Sequence, residues 1–343
     1  LLSLRCSALI DELTSAHAVI ADTLEDNETH FAIAQLEQLY AAIGMMVNMA
    51  ERQAQVWNAY AQPMDEGMPD SRWIQIVESG GLLDFELSTS PLLAASTLQM
   101  YLWKRCFAAV MTSATLTALG KFDRFHMHSG MPYFAEKTIV PSPFDYLQNA
   151  AFVVPRLLAD PVDQQGHSEE IAAMLPGLIA GHSGILVLFA SRRQLADVYE
   201  LLAEDLQSGI LRQNNLSKQK LLQQHIDAID QGRQSIIFGL ASFAEGVDLP
   251  GKYCTHVIIA KLPFAVPNDP VESGLSEWFE AQGRNAFMEI SLPDASQKLI
   301  QACGRLIRSE HDTGKVTLLD KRILTKRYGN QLLNALPPFQ RQL

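Results

Sequence analysis

Six short apolar runs restrict the architecture of this chain more than anything else in it. They occupy residues 107–111, 151–154, 185–189, 235–238, 256–260 and 316–319, and each ends in small or polar residues. Stretches with helical periodicity separate several of them, at residues 169–180, 194–207 and 217–231. A strand that is apolar throughout is buried on both faces, and intervening helices supply the crossovers that parallel neighbours require. The fold class is therefore α/β, with a parallel sheet covered on both sides. Such sheets take ligands beyond the carboxyl ends of their strands. That rule points to Thr112-Ser113-Ala-Thr115, to Ser191-Arg192-Arg193, and to residues 239–251, each of which follows an apolar run.

The remainder of the chain reads differently. Residues 1–62 are helical in period, with Leu36, Leu39, Ile43, Met46 and Val47 at three- and four-residue spacing and a break at Asn27-Glu-Thr. Residues 61–70 form a loop. Alternating segments at 73–77 and 83–87 flank Gly80-Gly81, the pattern of a hairpin, and residues 91–104 are helical. At 343 residues there is room for about two domains. Pro141-Ser-Pro143 is the best linker between two α/β halves. The division expected is 1–69, 70–140 and 141–343.

Apolar content of 48% fits a globular protein, and no stretch approaches the roughly 20 apolar residues of a membrane span. The opening segment is read as helix rather than signal peptide, because Asp11 and Glu12 interrupt it. No membrane association and a cytoplasmic location are expected. The chain opens on Leu1 without an initiator Met, so it is expected to begin inside a longer polypeptide. Cys6, Cys106, Cys254 and Cys303 are too scattered for a zinc or iron–sulfur site, and no metal ligands are assigned. The net charge of −11 has the wrong sign for a nucleic-acid binder overall, yet Lys315, Lys321, Arg322, Lys326 and Arg327 make a local basic segment.

One segment carries most of the chemistry. In Gln301-Ala-Cys-Gly304-Arg305-Leu-Ile-Arg308, at about 100° per residue, Gln301, Gly304, Arg305 and Arg308 fall in a sector of roughly 100°. Leu299, Ile300, Cys303, Leu306 and Ile307 occupy the other side. Two guanidinium groups flanking a glycine suit a bound polyphosphate, and a glycine that costs about 1 kcal/mol inside a helix calls for a reason such as close ligand approach. A solvated helix face is the plain alternative. Gly246 to Tyr253 nearly matches a phosphate loop but fails it. Tyr253 replaces the metal-binding hydroxyl, Pro250 removes a backbone donor, and a strand follows instead of a helix. Glu245 and Asp248 bracket Gly246, so this turn can hold a ribose hydroxyl or an arginine, or be merely an acidic turn. Asp65-Glu-Gly-Met68 is a loop rather than a magnesium-holding box. Ser113, Thr115 and Ser191 are helix caps or ligand contacts, and Arg192 is a candidate for nucleic-acid phosphate.

Four segments in order resemble the XPD-like branch of superfamily 2 helicases, and among these the bacterial DinG type. Val110-Met-Thr-Ser113-Ala-Thr115-Leu is similar to motif III, residues 185–191 to motif IV, Ser242-Phe-Ala-Glu245-Gly246-Val-Asp248 to motif V, and Gln301–Arg308 to motif VI. The tail from Leu319 to Phe339 is also DinG-like. The resemblance covers residues 70–343, with 1–69 as the end of a helical arch-like segment. It implies RecA-like motor domains and ATP-dependent 5′-to-3′ unwinding of single-stranded and forked DNA in repair or replication, with repair or replication proteins as possible partners. The phosphate loop, the magnesium-binding box and the cysteines of a 4Fe-4S cluster are expected upstream of residue 1. By resemblance, Arg308 is the arginine finger on ATP, Arg305 assists it, and Gln301, beside Gly304, holds the arrangement. Glu245, Gly246 and Asp248 couple nucleotide to DNA, Ser113 and Thr115 link ATP state to closure, and Ser191 and Arg192 contact DNA. Alone, the chain is not expected to hydrolyse ATP. The competing reading is a non-catalytic motor-like module that binds DNA or a partner protein.

Overall fold

The computed structural model describes residues 2–25, 32–61, 69–213, 215–240, 243, 246–265 and 269–343. These residues group into two compact units, one of residues 1–93 with 267–283 and the other of 94–266 with 284–343. The expected boundaries at residues 69 and 140 concern motor domains and are a separate matter from this grouping.

In the first unit, helices Leu2–Glu25 and Ile33–Ala61 pack along one another beside a hairpin of β1 (Asp70–Ser79) and β2 (Leu82–Pro91). Gly80 and Gly81 both take positive φ, +60° and +81°, as a two-residue turn of type I′ requires. The hairpin is longer than its alternating segments predict, because backbone pairing continues to Asp70↔Pro91. Tyr60 ties the second helix to both strands, its hydroxyl donating to the carbonyls of Trp73 at 2.8 Å and Ser88 at 3.3 Å. Helix Pro270–Ala281 joins this unit through Ser71 Oγ, which donates to the Pro270 carbonyl at 2.8 Å. The predicted break at Asn27-Glu-Thr and most of the predicted loop after residue 61, including Asp65-Glu-Gly-Met68, lie outside the described residues.

The second unit is built on a seven-stranded parallel sheet. Its strands are β3 (Ala150–Val153), β4 (Gly184–Phe189), β5 (Ile210–Arg212), β6 (Ser235–Leu240), β7 (His256–Ile259), β8 (Gly314–Leu318) and β9 (Gln340–Gln342). The order across the sheet is β5-β6-β4-β7-β8-β3-β9. Because successive side chains alternate, each strand feeds two cores. Leu186, Leu188, Ile237, Val257, Ile259, Val316 and Leu318 point to one face, against helix Leu292–Cys303 and Leu221 of helix Lys218–Asp230. Ile185, Val187, Phe189, Ile236, Phe238 and Ile258 point to the other, against helices Gln164–Ile179 and Arg192–Glu200. This is the physical content of an apolar run with no polar face.

Several sequence expectations need correction. Residues 107–111 form no strand; they are irregular, with Phe107 and Val110 almost wholly exposed. A strand needs a hydrogen-bonding neighbour, and among the described residues none lies beside this run. The helix expected at 194–207 breaks at residues 201–203, with Leu202 turned into the core. The 91–104 segment is helical only over 95–103, its last turn widened to a π-helix. The edge strands β5 and β9 escaped the sequence reading because three residues are too few for a periodic signal.

Candidate functional site

Parallel strands determine how the site is assembled. The connection after β6 leaves the carboxyl end of the sheet and must return to the amino end of β7, carrying Gly246, Val247, Asp248 and Gly251 with it. Val247 and Leu249 anchor it in the first core, at 1% and 2% exposure. Leu306 and Ile307 enter the same core from the segment that precedes β8. These neighbouring apolar anchors bring the acidic turn and the arginine segment together.

Helix Leu292–Cys303 ends before the arginines, with Gly304 as its C-cap at φ −65° and ψ −6°. The expected helical face extending to Arg308 is thus corrected. Gln301 is on the helix, whereas Arg305 and Arg308 sit on the turn beyond it. The burial of Leu299, Cys303, Leu306 and Ile307 holds nonetheless. Arg305 Nη1 and Arg308 Nη2 donate to the same acceptor, the Val247 carbonyl, at 2.8 and 2.9 Å. Arg308 Nε also lies 3.4 Å from Asp248 Oδ1. Arg308 is exposed and Arg305 is half-buried. Two cations on one carbonyl, one of them solvent-facing, make an electropositive point suited to phosphate oxygens. Gly246 adopts φ +68°, so the turn depends on glycine there. Glu245 and Ser242 lie outside the described residues.

The site has a second arm. Gln301 Nε2 donates to Thr115 Oγ1 at 3.3 Å, and Gln297, one turn earlier, donates to the Thr115 carbonyl at 2.9 Å. The Thr115 amide in turn donates to Ser113 Oγ at 3.2 Å. Gln297, Gln301 and the two arginines are therefore strung along one helix and its C-terminal turn, with Thr115 hydrogen-bonded to both glutamines. Asp294 at the start of that helix accepts two hydrogen bonds from Arg124, at 2.7 and 2.6 Å.

Ser191 and Arg192 are elsewhere, at the carboxyl end of β4. Ser191 caps helix Arg192–Glu200 by accepting from the Gln194 amide at 3.1 Å, the plain structural role. Arg192 and Arg193 are exposed. The same sheet end holds a polar cluster that sequence reading missed. Arg322 forks onto buried Asp320, which also accepts from the Leu262 amide. His167 Nε2 lies 2.7 Å from the Leu319 carbonyl and its Nδ1 lies 3.0 Å from the Gln194 side-chain amide, so the ring is the neutral Nε2–H tautomer. Burial pushes its pKa down in agreement. Arg322 and Lys321, which donates to the Leu158 carbonyl, thus serve structure, while Lys326 and Arg327 are exposed.

The residues expected to meet a nucleotide accordingly do not gather beyond the carboxyl ends of the strands. Arg305, Arg308 and Asp248 precede β7 and β8 and cover one sheet face. Gln297 and Asp312 were missed; only the four-residue spacing from Gln301 could have flagged the former.

No trio of His, Cys, Asp or Glu side chains among the described residues could hold a metal ion. Cys254 and Cys303 are buried thiols of one core, their pKa values raised by burial, Cys254 to about 12. An iron–sulfur cluster does not fit these residues. No helix among the described residues is long and apolar enough to cross a membrane.

The parallel-sheet domain with paired arginines after a core helix has the fold of known helicase structures. Residues 178–339 match the family described as helicase C-terminal domain. The chain is similar to DinG helicases. It is 40% identical over 340 residues to the ATP-dependent DNA helicase DinG of Photobacterium profundum, covering 97% of this chain and 48% of that protein. With DinG of Escherichia coli K12 it shares 32% over 341 residues, 98% of this chain and 48% of the relative. The chain thus spans about half the length of these relatives. Among solved structures, an XPD helicase superposes with a TM-score of 0.56 at 13% identity, covering 99% of this chain and 64% of the other. Xpd4 of S. tokodaii gives 0.55 at 14%, with 89% and 58% covered. These two likenesses define the fold.

Proposed function

We propose that this chain is the C-terminal part of an ATP-dependent 5′-to-3′ DNA helicase and supplies the arginine half of its ATP site. The observation that carries the reading is the convergence of Arg305 and Arg308 on the Val247 carbonyl. This arrangement holds two guanidinium groups ready for phosphate oxygens. Arg308 is the solvent-facing member and acts as the finger on the γ-phosphate; Arg305 steadies it. Gly246 and Asp248, together with Glu245, couple this point to DNA. Thr115, held by Gln301, belongs to the preceding motor domain of 70–140 and reports nucleotide state to the second domain of 141–343. Residues 107–111, which have no strand partner among the described residues, complete the sheet of that preceding domain, with 1–69 as the arch-like segment.

No stretch of the chain satisfies the phosphate loop, so the rest of the polypeptide supplies the groups that hold the β-phosphate and magnesium, as well as any 4Fe-4S cluster. Magnesium would neutralise charge developing on the phosphates. Single-stranded DNA, at forks in repair or replication, runs past Ser191 and Arg192, with replication or repair proteins as partners in the cytoplasm. Closure of the two motor domains on ATP and their relaxation after hydrolysis moves the strand. In the full-length polypeptide, Arg308→Ala should lower DNA-stimulated ATPase at least ~1000-fold while keeping single-stranded DNA affinity within about threefold. Equal loss of both would make Arg308 a DNA or structural contact.

A further inference from the structure

The two arginines share one acceptor, but neither bond fixes the backbone from which Arg308 projects. That task falls to Asp312. Asp312 is 4% exposed, and its carboxylate accepts four hydrogen bonds. Oδ2 takes the amides of Arg308 at 2.6 Å and Ser309 at 2.9 Å. Oδ1 takes the Ser309 hydroxyl at 2.6 Å and the Gly251 amide at 3.1 Å. One oxygen thus holds the arginine turn and the other reaches the end of the acidic-turn connection. Gly251 sits at φ +59°, a conformation that favours glycine, and offers its amide to the carboxylate. Both segments that meet at Val247 are therefore clasped a second time, at Asp312.

We propose that Asp312 is a positioning residue for the arginine finger, holding the Arg308 backbone against the Gly251 turn so that both guanidinium groups share one carbonyl. The proposal rests on the helicase reading above. Burial raises the Asp312 carboxyl, but the hydrogen bonds from Ser309, Arg308 and Gly251 outweigh it and leave the pKa below the ordinary carboxylate value. The clasp is therefore an anion at neutral pH. An amide cannot replace it, since one end of an asparagine would present N–H groups to N–H donors.

In the full-length polypeptide, Asp312→Asn should lower the kcat of DNA-stimulated ATP hydrolysis about 30-fold, with KM for ATP and DNA affinity changed less than threefold. Ser309→Ala, which removes one of the four bonds, should lower kcat about threefold. Val316→Ala in the core of β8 serves as a control for general loosening; it should keep kcat within twofold although it lowers the melting temperature. Two results would overturn the proposal: an Asp312→Asn enzyme with kcat within threefold of wild type, or a Val316→Ala enzyme that loses as much. Failure of the helicase reading looks different, because the unaltered polypeptide would then show no DNA-stimulated ATPase, or Arg308→Lys would leave it intact.

Discussion

Gln301 donates its side-chain amide to the hydroxyl of Thr115 at 3.3 Å across 186 residues of sequence. The two come from different sequence motifs, and the hydrogen bond makes the helix that leads to the arginines sensitive to the position of Thr115. Gln297 reinforces the link through the Thr115 carbonyl.

If this bond transmits nucleotide state, Gln301→Ala should reduce DNA-stimulated ATPase of the full-length polypeptide roughly tenfold without loss of fold. Thr115→Val in the same background should add little. A double-mutant cycle on kcat/KM should return a coupling of about 1 kcal/mol, the worth of a neutral hydrogen bond. Strict additivity would mean that the contact carries no signal.

Arg305 and Arg308 should separate when stability is measured. Arg305 is half-buried, so Arg305→Ala should cost about 1–2 kcal/mol in urea unfolding of this chain. Arg308 is exposed, and Arg308→Ala should cost well under 1 kcal/mol. A reversed order would show that Arg308 is the structural member of the pair.

The Arg124–Asp294 pair has side chains 6% and 19% exposed. Arg124→Met strands a carboxylate in a poorly solvated position, and a loss of about 3 kcal/mol is expected by chemical denaturation. Adding Asp294→Leu should recover much of that loss, because the buried charge is then gone. No recovery would indicate that Arg124 contributes chiefly through packing.

Acid should weaken the sheet through His256. Burial first, then the positive charges of His182 and Lys315, push its pKa down from 6.5 to about 3. The folded protein keeps the ring neutral while the unfolded chain protonates it. This contribution is complete above pH 6.5 and is lost as pH falls from 6.5 toward 3. At pH 4 the loss is about 3 kcal/mol. His256→Gln, whose amide can still bond to the Thr317 hydroxyl, should flatten unfolding free energy between pH 7 and pH 4. An unchanged slope would assign the acid sensitivity to other groups.

Phe107 and Val110 expose apolar surface in a segment without strand pairing. The isolated chain should therefore bind a hydrophobic dye, and Phe107→Ser with Val110→Thr should lower that binding. The unfolding free energy should stay within about 0.5 kcal/mol of the parent. A marked loss of stability would mean that the segment packs in solution.

Much of the sheet was legible because burial on both faces removes polar residues from a strand, as at residues 185–189 and 235–238. The glycine pair at 80–81 marked its hairpin, since the type I′ turn that suits the strand twist needs a positive φ at both positions. The 107–111 run was misread for the complementary reason: its composition suits a buried strand, but pairing depends on a neighbour that composition cannot supply. The helix end at Cys303 was misread because the apolar period continues through Leu306 and Ile307, which stay buried on a turn that is no longer helical.

Sequence alone determined the α/β class, the order of the motifs, the glycines at 246 and 251, and the residue types able to meet a phosphate, since these follow from apolar period, backbone freedom and side-chain chemistry. Only the tertiary structure decided that Arg305 and Arg308 share the Val247 carbonyl, that Gln301 reaches Thr115, and that Asp312 clasps two connections. Those contacts bridge segments that are distant in sequence or lie on irregular turns. The parallel sheet brings the connections together, and the shared burial of Val247, Leu249, Leu306 and Ile307 holds them in place.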